Sequence, residues 1–269
     1  MRKHEWARMT WVELSEALKA KPVVLVPLGS VEQHGPHTPV GDYLASEVIA
    51  SRVAERTDSL FIPTLPYGYS EVHRGFPGTL TYRETTLRAS LEDLTECLLE
   101  VGVDRILYLC GHGGNVPTIE HYARELLRKR IMRTACIDLW RLLSPEFNKA
   151  LYGQSSPNTG HGSEPIGSVM AYVAPGCNRP DLFARPSKAT FNGLVARGSQ
   201  VELNGVMFHI YPRSVDTSSI GVIGDPSLAS PERGEKILEH VVGICCDIVS
   251  WFKQADTKAT EIEPGFPAR

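Results

Sequence analysis

Apolar runs of strand length alternate with stretches of helical periodicity through the first half of the chain, and this alternation restricts its fold more than any other feature. Pro22 to Leu28 reads as a buried strand, Ser59 to Thr64 as a short apolar run, and Asp104 to Cys110 and Arg133 to Leu139 as further strands. Between them, Leu44 to Arg56, Thr85 to Val101 and Thr118 to Arg130 carry helical spacing. In the second of these, Leu87, Leu91, Leu94, Leu98 and Val101 recur at three- and four-residue steps. Thr10-Trp11-Val12-Glu13 matches a capping box and opens a helix to about Ala20. Strands joined through helices give a mostly parallel sheet covered on both faces. The expected fold class is therefore α/β, three-layered, with a mostly parallel sheet flanked by helices.

After Ser144 the pattern loosens, with glycines and prolines crowding Gly153 to Gly176. A β-rich patch near Val201 to Tyr211 and a long helix over about Pro231 to Phe252 follow. No repeat, linker or low-complexity tract divides residues 1–269, which read as one domain with a frayed tail after Ala255. A formal charge of −3 gives no electrostatic reason to expect a nucleic acid or an anionic membrane as partner. No stretch approaches the roughly 20 apolar residues of a membrane span. The basic N-terminus lacks the apolar segment of a secretory signal. Six cysteines without zinc-ribbon or CxxC spacing, most of them in apolar runs, read as buried reduced thiols of a cytoplasmic protein.

Three polar knots interrupt this pattern. The first, "GSVEQHGPHTPVGDY" (Gly29 to Tyr43), directly follows the first strand and holds Glu32, His34, His37 and Asp42. The second, "GHGGN", places His112 just after the Asp104 to Cys110 strand. Open α/β sheets bind ligands beyond the carboxyl ends of their strands, so both knots fall at one functional edge. Glu32 and His34, two residues apart, point to the same side of an extended segment. The third knot, "HGSEP", sets His161 and Glu164 before the apolar run Ile166 to Val173. Histidine and carboxylate side chains bind hard or borderline metals and carry protons in catalysis. A plain surface turn is the structural alternative for any one knot. For Glu164 that alternative is a helix cap, with Pro165 at the first helical position.

"PLGSVEQHGPHTPVGD", "YGYSEVHRGFPGT", "GHGGN", "HGSEP" and "GVIGDPSLAS" occur in the order and rough spacing of the creatininase (creatinine amidohydrolase) family, which the chain resembles from about Trp11 to its final helix. The resemblance implies a metal-dependent hydrolase with a dinuclear site on an α/β fold, often assembled as a hexamer. Members of that family act on creatinine, on formamides, on a peptide in cofactor maturation and on a diketo-inositol. By resemblance Glu32, His34, Asp42 and His112 take the places of metal ligands, with the Asp42 carboxylate bridging two ions.

The chain departs from the family pattern at three places. Family members have one more residue before the bridging aspartate, the creatinine enzymes carry a glutamate at the place of Gly114, and "HAGExETS" becomes His161 to Ser168 here with the second glutamate lost. Glu164 is thus the candidate for the missing acidic ligand, and the altered surroundings argue against creatinine itself as substrate.

Two divalent ions (zinc, manganese or iron) sharing a carboxylate and a water lower that water's pKa and polarise a carbonyl. The expected activity is hydroxide attack on the carbonyl of a cyclic amide or formamide, with cleavage of a non-peptide C–N bond. His161 is the expected proton carrier to the leaving group. His73 and, more weakly, Ser70 are candidate substrate contacts, and His37 is either an orienting residue or part of a turn. A cysteine-hydrolase reading through Cys110 is a minor alternative. Attack on a ring ketone or lactone in sugar or inositol catabolism keeps the same site, and a non-catalytic small-molecule-binding homologue would have eroded ligands. Gly29-Ser30-Val31-Glu32 has neither the Walker nor the dinucleotide pattern, so no nucleotide cofactor is expected.

Overall fold

The computed structural model describes residues 3–154, 157–186 and 188–259. Helix α1 (Trp11–Leu18) opens on the expected capping box: Glu13 N–H donates to Thr10 Oγ1 at 3.3 Å, and Thr10 N–H donates to Glu13 Oε2 at 2.7 Å. Then follow β1 (Val24–Leu28), α2 (Tyr43–Thr57), β2 (Leu60–Phe61), α3 (Glu84–Glu100), β3 (Ile106–Cys110), α4 (Val116–Arg128) and β4 (Ala135–Asp138). The four strands form a parallel sheet in the order β2-β1-β3-β4. Each strand is shorter than its apolar run. Residues such as Pro22 and Asp104 lead into the ladder without joining it.

Side chains of the central strands alternate between two cores, as the two-residue period of a strand requires. Val23, Leu25, Leu107 and Leu109 pack on one face with Ile49 and Val53 of α2. Val24, Val26, Leu28, Ile106 and Tyr108 pack on the other with Leu87 and Leu91 of α3 and Ile119 and Tyr122 of α4. This double burial makes β1 and β3 continuous apolar runs and produces the three layers. Val101, read as the last member of the α3 stripe, is instead half-exposed just beyond that helix's end.

The second half contains α5 (Pro145–Tyr152), α6 (Ile166–Val173), β5 (Thr190–Phe191), β6 (Leu194–Arg197), β7 (Gln200–Leu203), β8 (Val206–His209), α7 (Ser214–Thr217) and α8 (Pro231–Phe252). Strands β5 to β8 make a separate four-stranded antiparallel sheet, which begins earlier than the patch expected at Val201 to Tyr211. Two of its turns are Asn-Gly pairs with positive φ, 47° and 83° at Asn192-Gly193 and 51° and 78° at Asn204-Gly205. This left-handed geometry matches the twist of paired strands. At the start of the expected tail, Arg133 N–H donates to the Thr257 carbonyl at 2.8 Å, and Thr257 is buried. The rest of the expected tail, 260–269, lies outside the described residues. All six cysteines are free, but Cys97, Cys136 and Cys177 are exposed rather than buried. No helix among the described residues is long and apolar enough to cross a membrane.

Helices α6 and α8 pack with α2 against the first core, and Gly234 of α8 lies against the backbone of α6. A Cβ at Gly234 would lie 2.0 Å from the Ser168 carbonyl oxygen and 2.9 Å from Tyr172 Cβ. Alanine at this helical position gains propensity worth about 1 kcal/mol, yet backbone must move to admit it. Gly234→Ala is therefore expected to destabilise the fold by about 1–3 kcal/mol, the usual cost of overpacking, as read from urea denaturation.

Candidate metal centre

The strand order places the reversal of chain direction across the sheet between β1 and β3, and the polar knots leave the carboxyl ends of those two strands. Glu32 stands at the centre of the resulting site and is 2% exposed. Its Oε1 lies 3.5 Å from His34 Nε2, 3.8 Å from His161 Nδ1 and 4.0 Å from His73 Nε2. Its Oε2 lies 3.2 Å from His112 Nδ1, which is also 3.8 Å from Asp42 Oδ2. Two groups could each hold a cation, Glu32 with His34 and His161 and Glu32 with Asp42 and His112. In each, the ligand atoms all lie within 4.8 Å of one another.

Donors bound to a tetrahedral ion at about 2.0–2.2 Å stand roughly 3.3–3.6 Å apart, close to the spacings found. Glu32 Oε2 is buried without a hydrogen-bond partner, as a ligand oxygen would be. The donor set thus fits divalent ions. Glu32, rather than Asp42, is the carboxylate common to both groups.

Local backbone chemistry fixes each donor. Asp42 sits at the N-cap position of α2 but does not cap it. Its Oδ1 accepts from Ser30 N–H and its Oδ2 from Ser30 Oγ at 2.8 Å, which turns the carboxylate into the site. His112 Nε2 donates to the Tyr69 carbonyl at 3.0 Å, with Ser70 Oγ at 3.2 Å. A carbonyl can only accept, so Nε2 carries the proton and Nδ1 faces Glu32. His161 is arranged likewise, Nε2 donating to the Gln33 carbonyl. Asn115, the last residue of "GHGGN", is not among the expected site residues. It is fully buried, donates to the Gly29 carbonyl at 2.9 Å and accepts from Tyr69 N–H at 2.8 Å, joining the loops of His112, Glu32 and Ser70. Its place in "GHGGN" was the available signal.

The remaining candidates divide. Ser70 is fully buried, with its Oγ 3.2 Å from His112 Nε2. His73 stacks on His161 with ring centroids 3.7 Å apart, and its Nδ1 meets Ser214 Oγ at 2.9 Å. His37 is buried near Phe183 and joins neither group. Helix α6 has Pro165, not Glu164, as its N-cap. The Glu164 carboxylate accepts from Ser168 Oγ at 2.6 Å and from Tyr152 Oη at 3.0 Å, and Glu164 belongs to neither ligand group. Cys110 donates to the His112 carbonyl, and burial pushes its thiol well above the ordinary range, unlike an activated nucleophile.

The charges in the site are strongly biased. Burial raises the Glu32 carboxyl, but the combined pull of His112, His34 and His161 outweighs it and holds the group well below the usual range. Burial, followed by the Glu32 charge, pushes Asp42 far up. Burial and neighbouring histidines lower His34 and His73 to about 3. For His112 burial opposes charging, yet Glu32 and Asp42 together raise it to about 9. A cavity of about 940 Å³ opens onto this centre, lined among others by Tyr69, Val72, Trp140, Glu164 and Tyr211, with Glu71 and Arg213 as charged members.

A buried carboxylate–imidazole centre at the switch point of a parallel sheet defines the class, an α/β protein that does its chemistry at strand ends. The family model Creatininase, described as creatinine amidohydrolase, matches residues 7–249, and the chain belongs to that family of hydrolases. It is 29% identical over 234 residues to the mycofactocin precursor peptide peptidase of Mycolicibacterium smegmatis, covering 84% of this chain and 83% of that protein. It is 28% identical over 260 residues to the creatinine amidohydrolase of Pseudomonas putida, covering 90% and 94%. The solved manganese form of creatininase superposes with a TM-score of 0.78 at 27% identity, over 93% of this chain and 99% of that one.

Asp42 and His112 both hold protons at neutral pH when no cation is bound. The folded value of His112, about 9, lies above its ordinary 6.5, so its contribution to stability is full below 6.5 and lost as pH rises through 9. Asp42, also raised, acts in the same direction. In chelator, Tm is therefore expected to fall between pH 7 and pH 9. Zinc or manganese binding should release protons near pH 7, and less so near pH 9. Calorimetry in buffers of different ionisation enthalpy measures the release.

Proposed function

We propose that this chain is a dinuclear metal-dependent amidohydrolase that cleaves a C–N bond next to a carbonyl. The observation that carries this reading is the sharing of one buried carboxylate, Glu32, between two groups with ligand spacing. Bound zinc, manganese or iron would supply an acidified water and a Lewis acid for the substrate carbonyl. The chain's own residues do the rest. Ser30 aims Asp42, the Tyr69 carbonyl and Ser70 aim His112, and the Gln33 carbonyl aims His161. Trp140, which donates to the Gly111 carbonyl at 2.6 Å, and Tyr69 wall the cavity and exclude water from the reacting carbonyl. A non-catalytic binding homologue accords poorly with the gathered donors of Glu32, His34, Asp42, His112 and His161.

A cavity of about 940 Å³ holds far more than a creatinine-sized ring. The substrate is accordingly an amide bearing a further group, and a peptide amide, as acted on by the mycofactocin relative, is the second reading that the volume favours. A homohexameric assembly in the cytoplasm belongs to the same proposal, with light scattering and cell fractionation as its checks.

Purified protein is expected to contain about two divalent ions per chain and to hydrolyse members of a panel of cyclic amides, formamides and short peptides. Asp42→Ala should lower kcat at least a hundredfold with the fold preserved. Absence of stoichiometric metal under every loading condition would overturn the reading.

A further inference from the structure

The antiparallel sheet is separate from the parallel sheet that carries the centre, yet one end of it reaches the same cavity. Gly198 and Ser199, between β6 and β7, and Tyr211, Pro212 and Arg213, beyond β8, form part of the cavity wall. The two stretches are tied together, since the Ser199 carbonyl accepts from Ile210 N–H at 3.2 Å and from Tyr211 N–H at 3.3 Å. Tyr211 then adopts a φ of 54°, a left-handed conformation rare for a bulky residue, which turns the chain before α7 begins at Ser214. Helix α7 fixes this stretch to the centre. Ser214 Oγ lies 2.9 Å from His73 Nδ1, and Val215 sits so close to Gly75 that a Cβ there would be 3.2 Å from its methyl groups. Packing thus sets where Arg213 stands relative to the gathered donors.

Arg213 is the one arginine or lysine among the described residues lining the cavity, against four acids, Glu32, Asp42, Glu71 and Glu164. Glu32 and Asp42 belong to the centre, and Glu71 is met by Arg74 at 3.4 Å. Arg213 itself is half-exposed, and its nearest acid does not occupy its fork. The Asp216 carboxylate accepts from the Arg213 backbone N–H at 2.8 Å, while Arg213 Nε stands 3.7 Å away, beyond hydrogen-bond distance. The two Nη nitrogens have no hydrogen-bond partner among the described residues. A guanidinium offers paired donors in one plane, which match the two oxygens of a carboxylate.

We propose that Arg213 holds a carboxylate at the far end of the substrate, so that the amide cleaved bears a free acid group, as a short peptide with an unblocked C-terminus does. The inference rests on the amidohydrolase reading above. The placement of charge divides the cavity, with the reacting carbonyl at the strand-end centre and the anionic end at the wall that carries the available cation. A small neutral ring leaves that cation without a partner, in keeping with a cavity of about 940 Å³.

Paired probes test this: N-acetylated dipeptides with a free C-terminus, and the same dipeptides as C-terminal amides, offered to zinc- or manganese-loaded protein. Initial rates give kcat/KM where they are hydrolysed, and calorimetry gives Kd where they are not. Wild type is expected to favour the acids by about tenfold or more, the scale of a hydrogen bond to a charged group. Arg213→Gln and Arg213→Ala should erase that preference through KM or Kd and leave the amides unchanged. Arg213→Lys should keep part of it, as a charge without the planar fork. Circular dichroism checks the fold, and any one folded variant suffices for the comparison. A wild type that treats acids and amides alike, or binds neither, overturns the proposal, as does an equal loss of both in the variants. A preference that survives the Gln and Ala substitutions places the carboxylate on the centre's cations and overturns it too. If wild type takes up no metal, the amidohydrolase reading falls, while the acid-to-amide ratio of Kd still decides Arg213.

Discussion

Glu32 is an ionised carboxylate with almost no access to water, and the arrangement around it follows from that. A buried charge is tolerated only when opposite charge and hydrogen-bond donors surround it. Here the compensation comes from imidazoles on three separate loops, with His34 and His161 at one oxygen and His112 at the other. With no cation bound, a single protonated imidazole, His112, supplies most of the balancing charge, and Asp42 stays protonated because a second anion beside Glu32 is too costly. The centre is thus electrostatically provisional. Its carboxylates can both ionise only when more positive charge arrives than one imidazolium carries.

Such an arrangement needs loops held to within a fraction of an ångström, and main-chain groups do most of that holding. The Tyr69 and Gln33 carbonyls each fix an imidazole tautomer, and Asn115 ties three loops together from inside the fold. The restraint reaches further, into the helical layer. Ser230 N–H, at the start of α8, donates to Ser168 Oγ at 3.0 Å, and that hydroxyl donates to Glu164. Glu164 therefore couples the cavity wall to the packing of α6 on α8. This is a structural task for a buried carboxylate that sequence alone presents as a ligand or a helix cap.

The parallel sheet was legible because β1 and β3 are buried on both faces, which leaves no polar alternation in their sequences to blur the signal. The first and last helices were legible from the Thr10 box and from the apolar spacing of α8, Pro231 to Phe252. The antiparallel sheet was half missed. Its strands are four residues or fewer and mostly half-buried or exposed, so apolar pattern says little, while the Asn-Gly pairs at 192–193 and 204–205 were the usable signal. Within the site, the sequence pointed to Glu32, His34 and His112 because each lies a few residues past a strand end, and to Asp42 because it closes the same polar loop as Glu32 and His34. It could not show that His161 faces Glu32 from more than a hundred residues away, or that a side chain at Gly114 would crowd His112 and the Tyr69 carbonyl.

His161 shares this wall of the centre with its stacking partner, His73. His73 faces Glu32 Oε1 at 4.0 Å through Nε2 and lines the cavity, while its Nδ1 is engaged by Ser214 Oγ at 2.9 Å and lies 3.5 Å from Gln33 Nε2. The Gln33 amide can only donate through that nitrogen, so it favours the tautomer with Nδ1 accepting and the ring proton on Nε2, toward the centre. That proton is directed at a carboxylate rather than at a main-chain carbonyl, so it can be exchanged without breaking the backbone contacts that hold the loops. Unlike His112 and His161, His73 can therefore exchange its proton without breaking a main-chain contact. The "YGYSEVH" loop that carries it also supplies Tyr69 and Ser70 to His112, so a single segment aims a donor on one side of Glu32 and offers a proton on the other.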